Sequence, residues 1–419
     1  MNKPENKTGM SRRGFMTMAG ASLGFAMLAS AGLTPDRARA GGLKPVPSEI
    51  NPDSLKTDIS RTDVLVVGSG MAGVFAAVKA HDAGARVLMV SKGRLGASGM
   101  TPFARGIFAY DAEKETMALE DYVDGVSRSS LGTSNPVFTR QTAEHSLARV
   151  TELESWGFFD STRFADSLLT PITERAIPVR ERIMLTHLVK ERGKIAGAAG
   201  FSFDDGTLYF IQARSVILCT GAGGFKPNGF PVCDLTHDGS AMAYRIGARI
   251  TGKEWNDGHP GSQTHPASVY DQWKGVLAQN PSVGGIGIRH DLGMDQNYRT
   301  YTQGPGQGRP RDQGAAGEPA DGGPYRPKEF ARSGPPGPPP GANPDKKGHR
   351  PPPGMGGPPS GGASAGMAIH KSEGLVPHDE NGASNIPGLY AAGDALGSHM
   401  CGGIYTQVGS SLAGSAVQG

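Results

Sequence analysis

The sequence predicts an α/β fold organised around a nucleotide-binding βαβ unit, and three observations predict it. The first is the stretch 62–92, TDVLVVGSGMAGVFAAVKAHDAGARVLMVSK, in which apolar runs at 64–67 and 87–90 bracket a helix-like segment at 71–83. Gly68, Gly70 and Gly73 place a Gly-x-Gly-x-x-Gly where the first run meets that helix. The second is a set of β-rich runs at 195–201, 208–211 and 215–219, the last leading into Thr220-Gly221-Ala222-Gly223-Gly224. The third is IPGLYAAGD at 386–394, a short strand ending in Gly393-Asp394. Strands that end in small and polar residues bring backbone close to a ligand at one edge of a sheet.

Composition narrows the function classes. The chain has 419 residues, room for two or three domains and a buried core. A formal charge of +3 is too small to argue for nucleic acid or a charged membrane surface. Cys219, Cys233 and Cys401 form no C-x-x-C pair and no iron–sulfur or haem-attachment spacing, so an electron carrier here reads as organic and no metal site is expected. Their spacing gives no support for a Cys233–Cys401 disulfide.

Taken in order, residues 1–40 read as an export signal. Ser11-Arg12-Arg13-Gly14-Phe15-Met16 resembles the twin-arginine motif, an apolar run softened by Gly and Ala follows, and Ala38-Arg39-Ala40 offers a small-x-small cleavage site. An N-terminal membrane anchor is the alternative, but the run is marginal in length for a span. Twin-arginine export carries folded proteins, which suits a cofactor loaded before export and places the mature chain in a periplasm.

After a polar lead-in at 41–61 comes the dinucleotide unit. Gly68 permits the sharp turn, Gly70 lets the backbone approach a pyrophosphate, and Gly73 lets helix and strand pack closely. The helix N-terminus adds oriented N–H groups and a partial positive charge. The second strand ends at Ser91, where an acid that grips a ribose is usual, so NAD is not marked. The Gly/Ser/Thr-rich loop 93–101 reads as a second wrap of backbone donors around a cofactor, or as a surface loop.

From 112 to 158 the pattern is helical, with Leu119, Tyr122, Val123 and Val126 on one face and Ala143, Leu147, Val150 and Leu153 on another, both core stripes. Thr236-His237-Asp238-Gly239 opens a helix at 240–246, which makes Asp238 an N-cap, a cofactor contact, or both. The polar stretch 253–260 and His265 lack the cysteine or carboxylate companions of a metal site. Residues 303–362, with GPPGPPPG, RPPPG and GGPPSGG, are low in large apolar residues and read as an extended polyproline-biased linker or insertion, or a docking segment. Residues 402–419 are glycine-punctuated and then helical.

Four separated blocks resemble the fumarate reductase/succinate dehydrogenase flavoprotein family, which includes L-aspartate oxidase and adenylylsulfate reductase α-subunits. They are VVGSGMAG with its trailing VSKG, VILCTGAGG, THDGSAMAYRIGA, and IPGLYAAGD with SSLAGSAVQG. The resemblance implies a Rossmann-like, glutathione-reductase-like FAD-binding domain in three parts, 41–108, 186–260 and 363–419, with an inserted α+β capping domain at 109–185. It leaves 261–302 as a capping or substrate region. Family members continue with a further helix beyond the point corresponding to Gly419.

The cofactor it implies is FAD in an extended pose. Gly68-Ser69-Gly70-Met71-Ala72-Gly73 would take the pyrophosphate, Ser91 and Lys92 the adenosine side, and Ser98, Gly99, Met100 and Thr101 the flavin side. Thr220, Gly221 and Asp238 would add further contacts, Asp394 would hold a ribityl or ribose hydroxyl, and Ser411 and Leu412 would face the flavin pyrimidine. The loop that carries a flavin-linking histidine in many members has Met100 here, which implies non-covalent FAD.

On the substrate side, Glu254 to Pro260 resembles the family's E-x-x-Q-x-H-P, with Asp257 at the Gln position, and carries over His259 as a candidate; the family's C-terminal H-G-x-N-R-L-G-G-N is represented by His399 and then Gln407 to Ser411, which carries over His399. The substrate-clamping arginine falls near Thr406, and a neutral hydroxyl does not replace a bidentate cation. The implied activity is hydride transfer between flavin and a small organic substrate, with electrons exchanged through a periplasmic redox protein and membrane contact only during export. The alternatives are a flavin-binding electron-transfer subunit without small-molecule turnover, or a ketosteroid or amino-acid dehydrogenase on the same fold.

Overall fold

The computed structural model describes residues 55–103, 106–115, 117–130, 132–160, 162–223, 235–251, 282–284, 374–397, 399–400 and 410–419. The signal-like segment 1–40, the stretch 253–260 with His259, His265, the low-complexity segment 303–362, Cys233, Cys401 and Thr406 lie outside these residues.

The expected βαβ unit is present. Strand β1 (Thr57–Val67) runs through a glycine turn into helix α1 (Met71–Asp82) and returns as β2 (Val87–Val90). The two strands are parallel, with Val64 opposite Val87 and Val67 opposite Val90. β1 is flanked on its other edge by β7 (Leu208–Leu218), also parallel, from Thr57↔Leu208 to Val67↔Leu218. A strand paired on both sides and covered on both faces reads as a continuous apolar run, and Leu65, Val66 and Val67 are all buried.

β7 changes partners along its length. Its first half pairs antiparallel with β6 (Lys194–Ser202), which pairs antiparallel with β5 (Ile183–Glu191). Its last three residues, Val216 to Leu218, pair in parallel with β11 (Leu389–Ala391). With β4 (Val179–Arg180) beside β2, the strand order is β4-β2-β1-β7-β6-β5, and β11 lies alongside the end of β7. Two short pairs stand apart, β3 (Gly106–Phe108) with β9 (Ser282–Gly284), and β8 (Ile250–Thr251) with β10 (Gly374–Leu375).

The sheet separates two cores by strict alternation. Val66 and Met89 face one side; Leu65, Val67, Leu88 and Val90 face the other. The first side packs against α1, α2 (Leu119–Ser129), α3 (Pro136–Trp156) and α6 (Ser410–Gln418). Because α1 lies between the sheet and those helices, it is buried nearly all round from Met71 to Val78. Phe75 tilts onto Trp156 at 4.8 Å between ring centroids, and Phe108 meets Tyr122 edge-on at 6.2 Å. The segment 109–185 thus shares a core with the dinucleotide unit. The second side is covered by α5 (Asp238–Arg245) through Met242 and Ala243, together with Leu396 and Met400. Helix α4 (Leu169–Glu174) leads into β4.

The observed elements differ from the expected runs in three places. The runs 208–211 and 215–219 are one strand, β7, because Gln212, Ala213 and Arg214 carry the ladder across the point where the partner changes from β6 to β11. The helical stretch 112–158 is two helices, and Asn135 begins the second by accepting a hydrogen bond from the Val137 N–H, with Pro136 in the first helical position. β5, a nine-residue strand, has no counterpart in the expected elements. Both helical stripes hold: Tyr122, Val123, Val126, Ala143, Val150 and Leu153 are buried, with Leu119 and Leu147 packed against them. Among the described residues no helix is long and apolar enough to cross a membrane.

Candidate functional site

The C-terminal ends of four parallel strands meet in one hydrogen-bonded row. Beyond the ladder proper, the Gly68 N–H donates to the Val90 carbonyl at 2.8 Å, the Cys219 N–H to the Val67 carbonyl at 2.8 Å, and the Ala392 N–H to the Leu218 carbonyl at 3.0 Å. β2, β1, β7 and β11 therefore end in register, and the chain continues from them into Ser91, Gly68, Cys219-Thr220 and Ala392-Gly393 respectively. Segments far apart in the chain, Gly68 and Gly393 among them, become one edge, the edge where open α/β sheets bind ligands.

The glycine turn is shaped by two close approaches. Gly68 has φ +111°, and a Cβ on it would stand 2.2 Å from the Cys219 carbonyl oxygen; one on Gly73 would stand 2.0 Å from the Gly68 oxygen. Gly70 differs, since the nearest atom to its Cβ position is Thr101 Oγ1 at 3.3 Å. The first two glycines are needed for packing, and the third leaves backbone exposed to whatever lies above it.

Helix α1 starts at that turn with no side-chain cap and no acidic residue in its first turn. Thr101 Oγ1 accepts the Met71 N–H at 3.0 Å, and the N–H groups of Ala72 and Gly73 follow, which no intrahelical carbonyl can take. Oriented donors, a positive dipole end and no competing carboxylate suit a pyrophosphate. The loop 93–101 is anchored here by Thr101 and folded by Ser98, whose hydroxyl donates to the Arg94 carbonyl at 2.9 Å. Gly99 and Met100 are half-buried between those two anchors, and a Cβ on Gly99 would meet open space.

At the end of β2 the hydroxyls of Ser69 and Ser91 lie 2.6 Å apart, both buried. The next residue, Lys92, reaches across to α5, its ammonium donating to Asp238 Oδ2 at 2.8 Å and Thr236 Oγ1 at 2.6 Å. Asp238 is not the cap of its helix: His237 holds that position in a left-handed conformation, and Asp238 is the first helical residue with its carboxylate turned to Lys92 and Thr236. Thr220, beside them, has a buried hydroxyl with no hydrogen-bond partner among the described residues. Gly221 follows in a left-handed turn. A buried orphan hydroxyl at the strand edge is the kind of atom a bound ligand completes.

Opposite this group, Asp394 accepts from Ser411 Oγ at 3.2 Å, and Leu412 is buried in the first turn of α6. His399 stands apart from the glycine turn. Its Nε2 lies 3.2 Å from the Leu375 carbonyl and its ring is 5.9 Å from that of Phe138. A carbonyl only accepts, so Nε2 carries the proton. Burial pushes the His399 pKa below the ordinary histidine value, against a smaller upward pull from that carbonyl. The imidazole is therefore neutral at pH 7.

The described cofactor-side residues named from sequence thus lie along one edge or on the loops that close it. Sequence reasoning did not find the Lys92 to Asp238 tie or the use of Thr101 as a helix-end acceptor. The charge of each partner was visible in the sequence, but no local pattern pairs residues 146 apart.

A glycine turn of this shape, an acid-free helix start and a Gly-Asp turn at the ends of parallel strands fit a dinucleotide-binding α/β fold. Residues 63–226 match the FAD dependent oxidoreductase family, and FAD is the cofactor of that class. Among proteins of known name, the chain is 27% identical over 270 residues to one subunit of the fumarate reductase (CoM/CoB) of Methanothermobacter marburgensis, covering 56% of this chain and 48% of that protein. It is also 27% identical over 245 residues to the L-aspartate oxidase of Vibrio cholerae, covering 49% of this chain and 45% of the enzyme. The chain spans about half the length of the curated relatives it matches. Among solved structures, the Mycobacterium smegmatis Sdh1 complex with UQ1 shares the fold with a TM-score of 0.56 at 22% identity, over 86% of this chain and 67% of that one.

Proposed function

We propose that this chain is an exported FAD-dependent oxidoreductase of the fumarate reductase type, with non-covalent flavin, acting on a small organic substrate and exchanging electrons through a periplasmic redox protein. Bound FAD supplies hydride exchange between its N5 and a substrate carbon. The observation that carries the reading is the edge where the ends of β1, β2, β7 and β11 meet the acid-free N-terminus of α1.

Each residue group has a distinct task. The α1 N-terminus and the bare backbone at Gly70 bind the pyrophosphate, and Thr101 fixes the loop that closes over it. Ser69, Ser91, Thr220 and the Lys92–Asp238 pair form the adenosine side, where a hydroxyl pair replaces the usual acid. Asp394 accepts a sugar hydroxyl, and the N-terminus of α6 at Ser411 and Leu412 lowers the energy of negative charge on the flavin pyrimidine. Met100 stands in the loop where a linking histidine would be, which supports non-covalent attachment. His399, neutral and tied to Leu375, is a positioned imidazole on the substrate side; His259 completes that side on the strength of its sequence block alone. Ser11 to Met16 and Ala38-Arg39-Ala40 support export by the twin-arginine route.

The names of the relatives point to four-carbon acids, but by the resemblance the family's clamping arginine would fall near Thr406. That substitution favours a second reading, a flavin-binding electron-transfer subunit without small-molecule turnover. To separate the two, the flavin is reduced anaerobically with light and the return of its oxidised absorption is followed. Reoxidation by an unsaturated or 2-oxo acid supports the enzyme reading, whereas reoxidation by redox proteins alone supports the subunit reading.

A further inference from the structure

The Gly393–Asp394 turn is held from both ends of one helix. Ser411, in the first turn of α6, donates its hydroxyl to Asp394 Oδ1 at 3.2 Å. Gln418, the last residue of α6, accepts the Gly393 N–H on its Oε1 at 2.9 Å. The turn itself is tightly seated. Gly393 has φ +66°, and a Cβ there would stand 2.9 Å from Ser415 Oγ on α6 and 3.0 Å from Ala72 Cβ on α1. A Cβ on Gly419 would lie 2.3 Å from the Ala72 carbonyl oxygen, so the end of α6 presses on the same first turn of α1 that begins the glycine cradle.

We propose that Gln418 is a positioning residue for the cofactor, acting through the Gly393–Asp394 turn. The proposal rests on the flavin reading above. A glycine in the left-handed region is among the least constrained residues, and its peptide N–H needs an acceptor to keep one orientation. The Gln418 amide supplies that acceptor from α6. It thereby fixes the Ala392–Gly393 peptide, which leads into the turn that carries Asp394, and Ser411 then sets the carboxylate. Gln418 touches no cofactor atom in this scheme; it ties the Asp394 half of the site to the Ala72 end of α1, so the two halves are presented at one spacing.

A double-mutant cycle on the full chain tests this, with FAD affinity of the stripped protein measured by quenching of flavin fluorescence. Gln418→Met keeps side-chain length and removes the acceptor, and Gln418→Leu is run beside it so that the cycle is read on whichever folds by circular dichroism. The expected result is a loss of about tenfold in affinity, the worth of one hydrogen bond, in the wild-type background. In the Asp394→Asn background the loss is expected to be smaller, because the residue Gln418 acts through has already been blunted. An unchanged affinity, or a loss equal or larger in the Asp394→Asn background, would overturn the proposal. A wild-type protein that binds no FAD would instead defeat the flavin reading, and the two failures are distinct.

Discussion

The two ends of the parallel sheet are finished with different chemistry. Beside the start of β2, where it meets the middle of β1, charge is matched within the chain: Asp63 accepts from Arg86 Nε at 2.9 Å, Arg86 Nη2 at 3.0 Å and the Arg86 backbone N–H at 3.3 Å, with Arg214 Nε 3.7 Å away. At the other end of the same strands the chain places glycines, hydroxyls and an acid-free helix start, and it leaves Thr220 Oγ1 buried without a partner among the described residues. Asp63 and Arg86 satisfy one another at the first end, although Asp58 Oδ1 and Ser60 Oγ, earlier in β1, are buried without a hydrogen-bond partner among the described residues; the second end holds the groups proposed above to meet the cofactor. Stability and binding are thus divided along the strand direction, and substitutions at the two ends should separate them.

The largest effect is expected where the binding end depends on packing. Gly73→Ala would drive a methyl to 2.0 Å from the Gly68 carbonyl, a backbone atom that cannot swing aside. Overpacking of that severity costs about 3 kcal/mol or more, so urea denaturation should show a marked loss of stability together with lost flavin. Gly70→Ala should sharpen the contrast, because its Cβ meets only Thr101 Oγ1 at 3.3 Å. Stability of the stripped protein should stay within about 1 kcal/mol of wild type. FAD affinity, by fluorescence titration, should fall at least about tenfold, since the methyl would occupy the proposed approach of backbone to pyrophosphate.

A smaller effect is expected at the Lys92–Asp238 tie, in which both side chains are about one quarter exposed. Lys92→Met should weaken FAD binding by about 0.5–1 kcal/mol, and the deficit should shrink as salt is raised, because salt already screens the pair in the wild type.

The smallest effect lies at the opposite end. Hydrogen bonding from Arg86 holds the Asp63 carboxyl at about 2, below the ordinary 3.8. A depressed folded-state pKa contributes stability that is present above the unfolded value, so this contribution should fade as pH falls from about 4 through about 2. Asp63→Asn should flatten the acid side of the stability curve in that window and leave FAD affinity unchanged. A change in FAD affinity would break the division between the two ends.

What the sequence made legible follows from how local each signal is. The glycine cradle, the turn at Gly393-Asp394 and the stripes on α2 and α3 are each signalled in the sequence by residues within one or two turns of one another, and they stand as expected. Strand β7 was hidden as two runs because its partner changes midway, which no single-strand pattern records. Asp238 carries an N-cap residue type at a helix start, yet its carboxylate pairs with Lys92 from the far side of the chain; long-range charge outcompeted local capping. Gln418 gave no signal, since an amide near the end of a short helix has the same local context whether it faces solvent or a turn.

The most direct test of the central claim is the visible absorption spectrum of the purified protein before and after acid precipitation. A flavin spectrum is expected in the native protein and a yellow supernatant after precipitation, because the binding edge offers fixed donors and hydroxyls and the closing loop carries Met100 in place of a linking histidine. A colourless protein that stays colourless when FAD is added would contradict it.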